Sequence, residues 1–279
     1  MNIPKWSNQF RKDLMVKNYS ESSIDNYVSQ IKSFLTYFNG RFTEPVKINE
    51  QAIKDYLLSS ECVNSQRHRH SAIKIFYKIT CHAPMKFRYI QYARKEKKLP
   101  IILSVDEIQR MFNVCENKKH KVILALLYSC SLRVSELINL KWTDIDRSRM
   151  IINIIQAKGR KDRQVGLNQK LIELLIEYYR EYKSIIYVLN GQGDLAQYSE
   201  RSVSEVVKQL AAKAGIENKR VYSHLMRHTS ATHMVENGVD INLIQKLLGH
   251  SNVKTTNIYL HISHNHISKI QSPLQNIRL

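Results

Sequence analysis

No stretch of the 279 residues is apolar and uncharged for long enough to span a bilayer. The N-terminal residues, with Lys5, Trp6, Arg11, Lys12 and Asp13, hold no apolar segment of the kind a secretion signal needs. The expectation is a cytoplasmic protein with no membrane partner. Four cysteines (Cys62, Cys81, Cys115 and Cys130) show no C-x-x-C spacing, which argues against a zinc ribbon and for reduced thiols. The glycines of Asn190-Gly-Gln-Gly193-Asp lack the spacing and the Lys-Ser/Thr of a P-loop, so no nucleotide cradle is expected. His224 and His228 stand four apart, but Leu225 occupies the place of the glutamate in H-E-x-x-H. His261, His264 and His266 have no acidic or cysteine ligand nearby. No metal and no cofactor are therefore expected. Internal repeats and low-complexity segments are absent as well.

Acidic residues are the scarcest class relative to need: 24 Asp+Glu face 43 Lys+Arg, for a formal charge of +19. The imbalance is spread along the chain, with 18 basic against 8 acidic residues in 1–100 and 25 against 16 beyond. A charge of this size favours a polyanion, and contacts to several phosphates would make binding fall steeply with salt. Double-stranded DNA is the partner we expect.

Residues 1–98 read as all-helical. Ser20 caps a helix with Ile24, Val28, Ile31, Phe34 and Leu35 on one face, Asn49 caps another, and a third runs through Ala72, Ile73, Phe76 and Tyr77. Arg67, Arg69 and Lys74 lie along or just before that third helix, as a solvated face or as one laid on a DNA backbone; the overall charge favours the second. The basic run with Arg94, Lys95, Lys97 and Lys98 ends at Pro100 and reads as an interdomain linker that can also meet DNA. A second domain, 99–279, opens with the capping box Ser104-Val-Asp-Glu107. Within it 150–155 and 164–167 alternate as strands, with Lys158, Arg160, Lys161 and Arg163 in the turn between them. That basic tip is expected to reach toward a groove. The fold class is thus mainly α with a small β-sheet (α+β).

Residues 223–259 gather two histidines, an arginine and a tyrosine that can address one phosphate. Gly238 ends one helix, Asp240 caps the next, and Gly249 ends that one, so His250 falls in a tight turn. Upstream, Leu132-Arg133-Val-Ser-Glu136-Leu137 supplies a second arginine. It is either a structural ion pair with Glu136 or an anion hook held by that carboxylate.

The order Arg133, Lys158, His224-x-x-Arg227, Leu-Gly-His250 and Tyr259 resembles the tyrosine site-specific recombinase (phage integrase) family, over about residues 101–262. Two positions depart from its usual pattern: Ser131 replaces a glycine and Met226 a leucine. The resemblance implies a helical DNA-binding domain and a catalytic domain closing as a clamp around DNA. Tyr259 would attack a phosphodiester to give a 3′-phosphotyrosyl link and a free 5′-hydroxyl, religated without ATP or metal. Arg133 and Arg227 would clamp the non-bridging oxygens, His250 would donate a hydrogen bond, and His224 would serve as general base or acid. Lys158 would protonate the leaving oxygen, with Glu136 and His228 in support. It also implies a homodimer on each site and a homotetramer in synapsis. The tail beyond Tyr259, with Ile267, Ile270 and Leu274, would bury itself in its own domain or a neighbour's. Alternatives are a type IB topoisomerase-like activity and a non-catalytic DNA-binding relative.

Overall fold

The structure, a computed structural model, describes residues 1–60, 62–84, 89–91, 101–155, 162–191, 196–250 and 253–259. Lys158, Arg160, Lys161, the linker cations Arg94, Lys95, Lys97 and Lys98, and the residues after Tyr259 lie outside these. The chain divides into two compact units, Met1–Lys97 and Lys98–Leu279.

Among the described residues the first unit holds four α-helices: α1 (Ile3–Val16), α2 (Glu21–Tyr37), α3 (Glu50–Leu58) and α4 (Val63–Ile79). Local chemistry starts the first three. Side-chain oxygens of Asn2, Ser20 and Asn49 accept from backbone N–H groups of Lys5, Ser23 and Ala52, filling donors the first turn leaves open. Their apolar faces meet around Phe10, Leu14, Ile31, Phe34, Leu35, Phe76 and Tyr77, each no more than 2% exposed. Arg69, one of the cations expected on DNA, is engaged within the unit. Its guanidinium stacks on Tyr56 at 4.9 Å and donates to the Tyr56 carbonyl and the Ser59 hydroxyl, at 3.3 and 3.1 Å, tying α4 to α3. Arg67 is half-buried and Lys74 exposed on the same helix.

In the second unit α5 (Val105–Asn113) carries the capping box of Ser104 and Glu107. It is followed by α6 (Lys118–Ser129), buried from Val122 to Leu127, and by the short α7 (Val134–Asn139). Strands β1 (Ile145–Asp146), β2 (Ile151–Ile154) and β3 (Arg163–Gly166) form one antiparallel sheet in that order, with Ile152 opposite Val165 and Ile154 opposite Arg163. Then come α8 (Gln169–Tyr182), α9 (Glu200–Lys213), α10 (Ser223–Glu236), α11 (Ile241–Leu248) and α12 (Val253–Thr256).

Helix α10 is the centre of the unit. Ten of its fourteen residues are buried, among them Arg227, Thr229, Ser230, Thr232 and His233. A helix so polar can be enclosed only if its groups are paired. Thr229 accepts the Leu103 N–H at 3.1 Å, His233 Nδ1 meets the Tyr128 hydroxyl at 2.8 Å, and Ser230 meets Ser131 at 2.7 Å. Among the described residues no helix is long and apolar enough to cross a membrane, and no group of three His, Cys, Asp or Glu could hold a metal.

Candidate active site

The site begins at a strained residue. Ser131, fully buried between α6 and α7, has φ +50°, a left-handed conformation that costs a side-chain-bearing residue roughly 1–2 kcal/mol. This is the position where the resembled family carries glycine, and the backbone explains why. The turn aims the Ser131 carbonyl at α10, where it accepts from Arg227 Nη1 at 2.6 Å, and it places Arg133 at the N-cap of α7. We expect Ser131→Ala to lower stability by about 1–3 kcal/mol, since it keeps the strain and strands the buried Ser230 hydroxyl. Ser131→Gly should stay within about 1 kcal/mol of the parent, the relieved strain offsetting the lost hydrogen bond. Urea denaturation of the two variants checks this; equal losses would remove the role given to strain.

One carboxylate organises the cations. Glu136 Oε1 lies 2.5 Å from Arg133 Nη1 and 2.7 Å from Arg163 Nη1, Oε2 accepts from Arg163 Nη2 at 2.8 Å, and Arg227 Nη1 is 3.9 Å away. The Glu136 side chain is 7% exposed and that of Arg163 6%. Burial works to raise the Glu136 pKa, but hydrogen bonds and charge from Arg163 and Arg133 outweigh it and hold the carboxyl at about 2. The placement of Arg163 is a correction. Expected at the hairpin tip facing DNA, it is instead the first ladder residue of β3, on the same inward face as Val165. Its Nε also donates to the Leu247 carbonyl at 2.5 Å.

Helix α11 closes the ring. Gly249 caps it at φ +62°, and a Cβ there would meet Arg163 Cδ at 3.1 Å. Conformation and space both call for glycine. Carbonyls left open at the C-terminus of α11 then serve the arginines: Leu248 accepts from Arg133 Nη2 at 3.2 Å and from Arg227 Nη2. The next residue, His250, is fixed by Gln245, whose carbonyl accepts its N–H at 3.1 Å and whose amide donates to its carbonyl at 3.0 Å. His250 Nδ1 lies 3.0 Å from the hydroxyl of the buried Thr256, and its Nε2 faces Arg227 Nη2 at 3.5 Å. Burial, then Arg227 and Arg133, lower its pKa to about 4, so the ring is neutral at pH 7. In the Nε2 contact the guanidinium is the donor, so Arg227 and the neutral ring stand side by side at the cavity. An anion's oxygen suits that place.

Tyr259 is 1% exposed, packed with Ala231, Val235, Ile244 and Leu248. Its hydroxyl meets His228 Nδ1 at 3.0 Å. Burial raises its pKa, while the charges of Arg227 and Arg133 pull it down. Burial beside Arg133 lowers the Arg227 pKa too, though a guanidinium remains charged at any physiological pH. His224 projects from the first turn of α10 into an exposed position, and partial burial, Arg227 and Arg133 lower its pKa. A cavity of about 1300 Å³ between β3 and α11 is lined by Arg133, Gln164, Lys246, His250 and Thr255.

The fold therefore brings together Arg133, Glu136, Arg227, His228, His250 and Tyr259, from loops and helices up to 126 positions apart in sequence (Arg133 to Tyr259). Arg163, Ser131, Ser230 and Thr256 support them without having been singled out for that purpose. Period-two counting back from the apolar Val165 places Arg163 on the inward face; Thr256 carries no comparable signal.

Residues 102–266 match the model of the phage integrase family, and residues 6–86 match that of the phage integrase N-terminal SAM-like domain. A putative integrase/recombinase of Sinorhizobium fredii is 34% identical over 95% of this chain and 86% of its own length. A tyrosine recombinase of Pseudothermotoga lettingae is 31% identical over 88% and 90%. Among solved structures, XerA recombinase is similar over 99% of this chain and 100% of its own, at 28% identity and TM-score 0.57. XerH site-specific recombinase, in a post-cleavage complex with its difH substrate, shares the fold at TM-score 0.74 and 21% identity, covering 94% of this chain and 83% of that one.

Proposed function

This chain belongs to the phage integrase family and is a tyrosine recombinase, and we propose that Tyr259 is its nucleophile toward a DNA phosphodiester. The observation that supports the assignment is geometric: the Tyr259 hydroxyl meets His228, the neighbour of Arg227 on α10, and Tyr259 packs with Leu248, whose carbonyl anchors both Arg133 and Arg227. The phenol's oxygen forms a bond to phosphorus, the P–O5′ bond breaks, and the product is a 3′-phosphotyrosyl ester. Arg133, Arg227 and the neutral His250 donate to the non-bridging oxygens as charge builds there. Lys158 delivers the proton that the departing 5′ oxygen needs, as the family motif implies. His224, exposed in the first turn of α10, would contact the same phosphate. Religation by a 5′-hydroxyl of another strand reverses these steps and conserves the ester bond.

Duplex DNA is the substrate this reading requires, and the difH substrate held by XerH is in keeping with it. Arg67 and Lys74 on α4, the linker cations, and Arg160 and Lys161 are proposed backbone contacts. We also propose one dimer per site and a tetramer in synapsis. A pool of duplexes with a randomised core, each nicked so that the short 5′-hydroxyl fragment diffuses away, tests the chemistry and finds the site at once. DNA should stay with the protein through SDS, and peptide mapping should place the phosphoryl group on Tyr259. An adduct on another residue, or none, would reject the assignment.

A further inference from the structure

Histidine 228 has no assigned step in this scheme, yet it is the partner of the Tyr259 hydroxyl among the described residues. The two rings tilt at 48° with centroids 5.8 Å apart, and His228 Nδ1 stands 3.0 Å from the tyrosine oxygen. His224, one helical turn earlier, points from the exposed start of α10 and makes no such contact. We propose that His228 is a catalytic residue: its Nδ1 takes the Tyr259 proton as the phosphotyrosyl bond forms and returns it on religation. The proposal rests on Tyr259 being the nucleophile.

Proton bookkeeping supports it. A phenol near pKa 10 must lose its proton to attack at pH 7, and the family motif gives Lys158 the other proton, the one the 5′ oxygen takes as it leaves. A second group must accept on the attacking side. The arginines stabilise a phenolate but carry no vacancy for a proton. His228 has one, because its ring is neutral: burial, then His224 and Arg227, lower its pKa. The groups facing it are His224 and Arg227 on its own helix, His250 after α11, and Tyr259. A depressed pKa makes a weak base in the protein alone. A phosphodiester seated between Arg133 and Arg227 adds a negative charge that opposes those cations, so the substrate itself strengthens the base as it binds. The step balances. The Oη–H bond breaks, Oη–P forms, P–O5′ breaks, and one proton rests on His228 while another leaves with the 5′ oxygen.

The test uses the full chain and the nicked duplex recovered by the selection, with single-turnover adduct formation as readout and Tyr259→Phe as the blank. His228→Gln and His228→Asn keep a polar side chain that cannot accept a proton; retained DNA affinity certifies folding. Both should slow cleavage by about 10²–10³-fold. Site-specific fluorotyrosine at 259, a more acidic phenol, should recover at least tenfold of that loss, which a merely structural histidine would not permit. Either variant cleaving within threefold of the parent, or faster, overturns the proposal. So does slow cleavage that fluorotyrosine leaves unchanged. Absence of an adduct with the parent protein would instead reject the nucleophile assignment beneath it.

Discussion

Glu136→Ala should lower the stability of the second unit by about 3–5 kcal/mol, the loss typical when one partner of a buried ion cluster is removed. Three guanidiniums rely on that carboxylate, at 2.5, 2.7 and 3.9 Å, and two of their side chains are 5–6% exposed. Linkage gives a similar size. A carboxyl held at about 2 instead of 4.5 corresponds to about 3 kcal/mol, at 1.36 kcal/mol per tenfold change in proton affinity. Because the folded-state pKa is depressed, this stabilisation is fully present above about pH 4.5 and disappears as pH falls toward 2. The parent should therefore lose stability in acid over that window more steeply than Glu136→Ala does. The chain's two tryptophans fall one in each unit, Trp6 and Trp142, so a Trp6→Phe background reports urea unfolding of the second unit alone. Removing Arg163 as well, as Arg163→Met, should return part of the loss by deleting a cation that no longer has a counter-charge. A single variant that unfolds within 1 kcal/mol of the parent would show that water already screens the cluster.

That cluster marks where sequence reasoning ended. Features set by neighbours in the chain were legible: the Ser104–Glu107 capping box, the Asp240 cap and the left-handed Gly249 all rest on contacts within a few residues. The family motifs likewise brought Arg133, Arg227, His250 and Tyr259 together as one set. What the chain did not disclose is who holds whom. Glu136 read as the partner of Arg133, and its main partner is Arg163, 27 residues away and expected at the basic hairpin tip. Helix α10 hides its burial for a related reason. Its polar residues suggest a wet face, and only their partners on α6, at Leu103 and at Ser131 make enclosure possible. Ser131 shows the converse. A departure from the family's glycine is compatible with the same left-handed turn because Ser230 is placed to meet the added hydroxyl.

Arg227→Lys should reduce cleavage by about 10²–10³-fold with little change in DNA affinity, the size expected for losing a preorganised donor to transition-state charge. The side chain is 5% exposed, and its fork spans two fixed acceptors: Nη1 on the Ser131 carbonyl and Nη2 on that of Leu248. Those contacts leave other N–H groups of the same plane to face His250 Nε2 and whatever oxygen lies between them. A lysine brings one ammonium on a flexible stem. It can satisfy a carbonyl or follow the phosphate, but it cannot hold the two carbonyls and present a fixed donor at once. Charge is conserved, so long-range attraction to DNA and the equilibrium of binding should hold, while the rate of adduct formation at saturating protein falls. Arg133→Lys should lose less, because Arg133 is more exposed, at 18%, and its anchors are Glu136 and the α11 carbonyls, which a lysine can partly replace. Equal rates for Arg227→Lys and the parent would mean that charge alone, without the fork, stabilises the transition state.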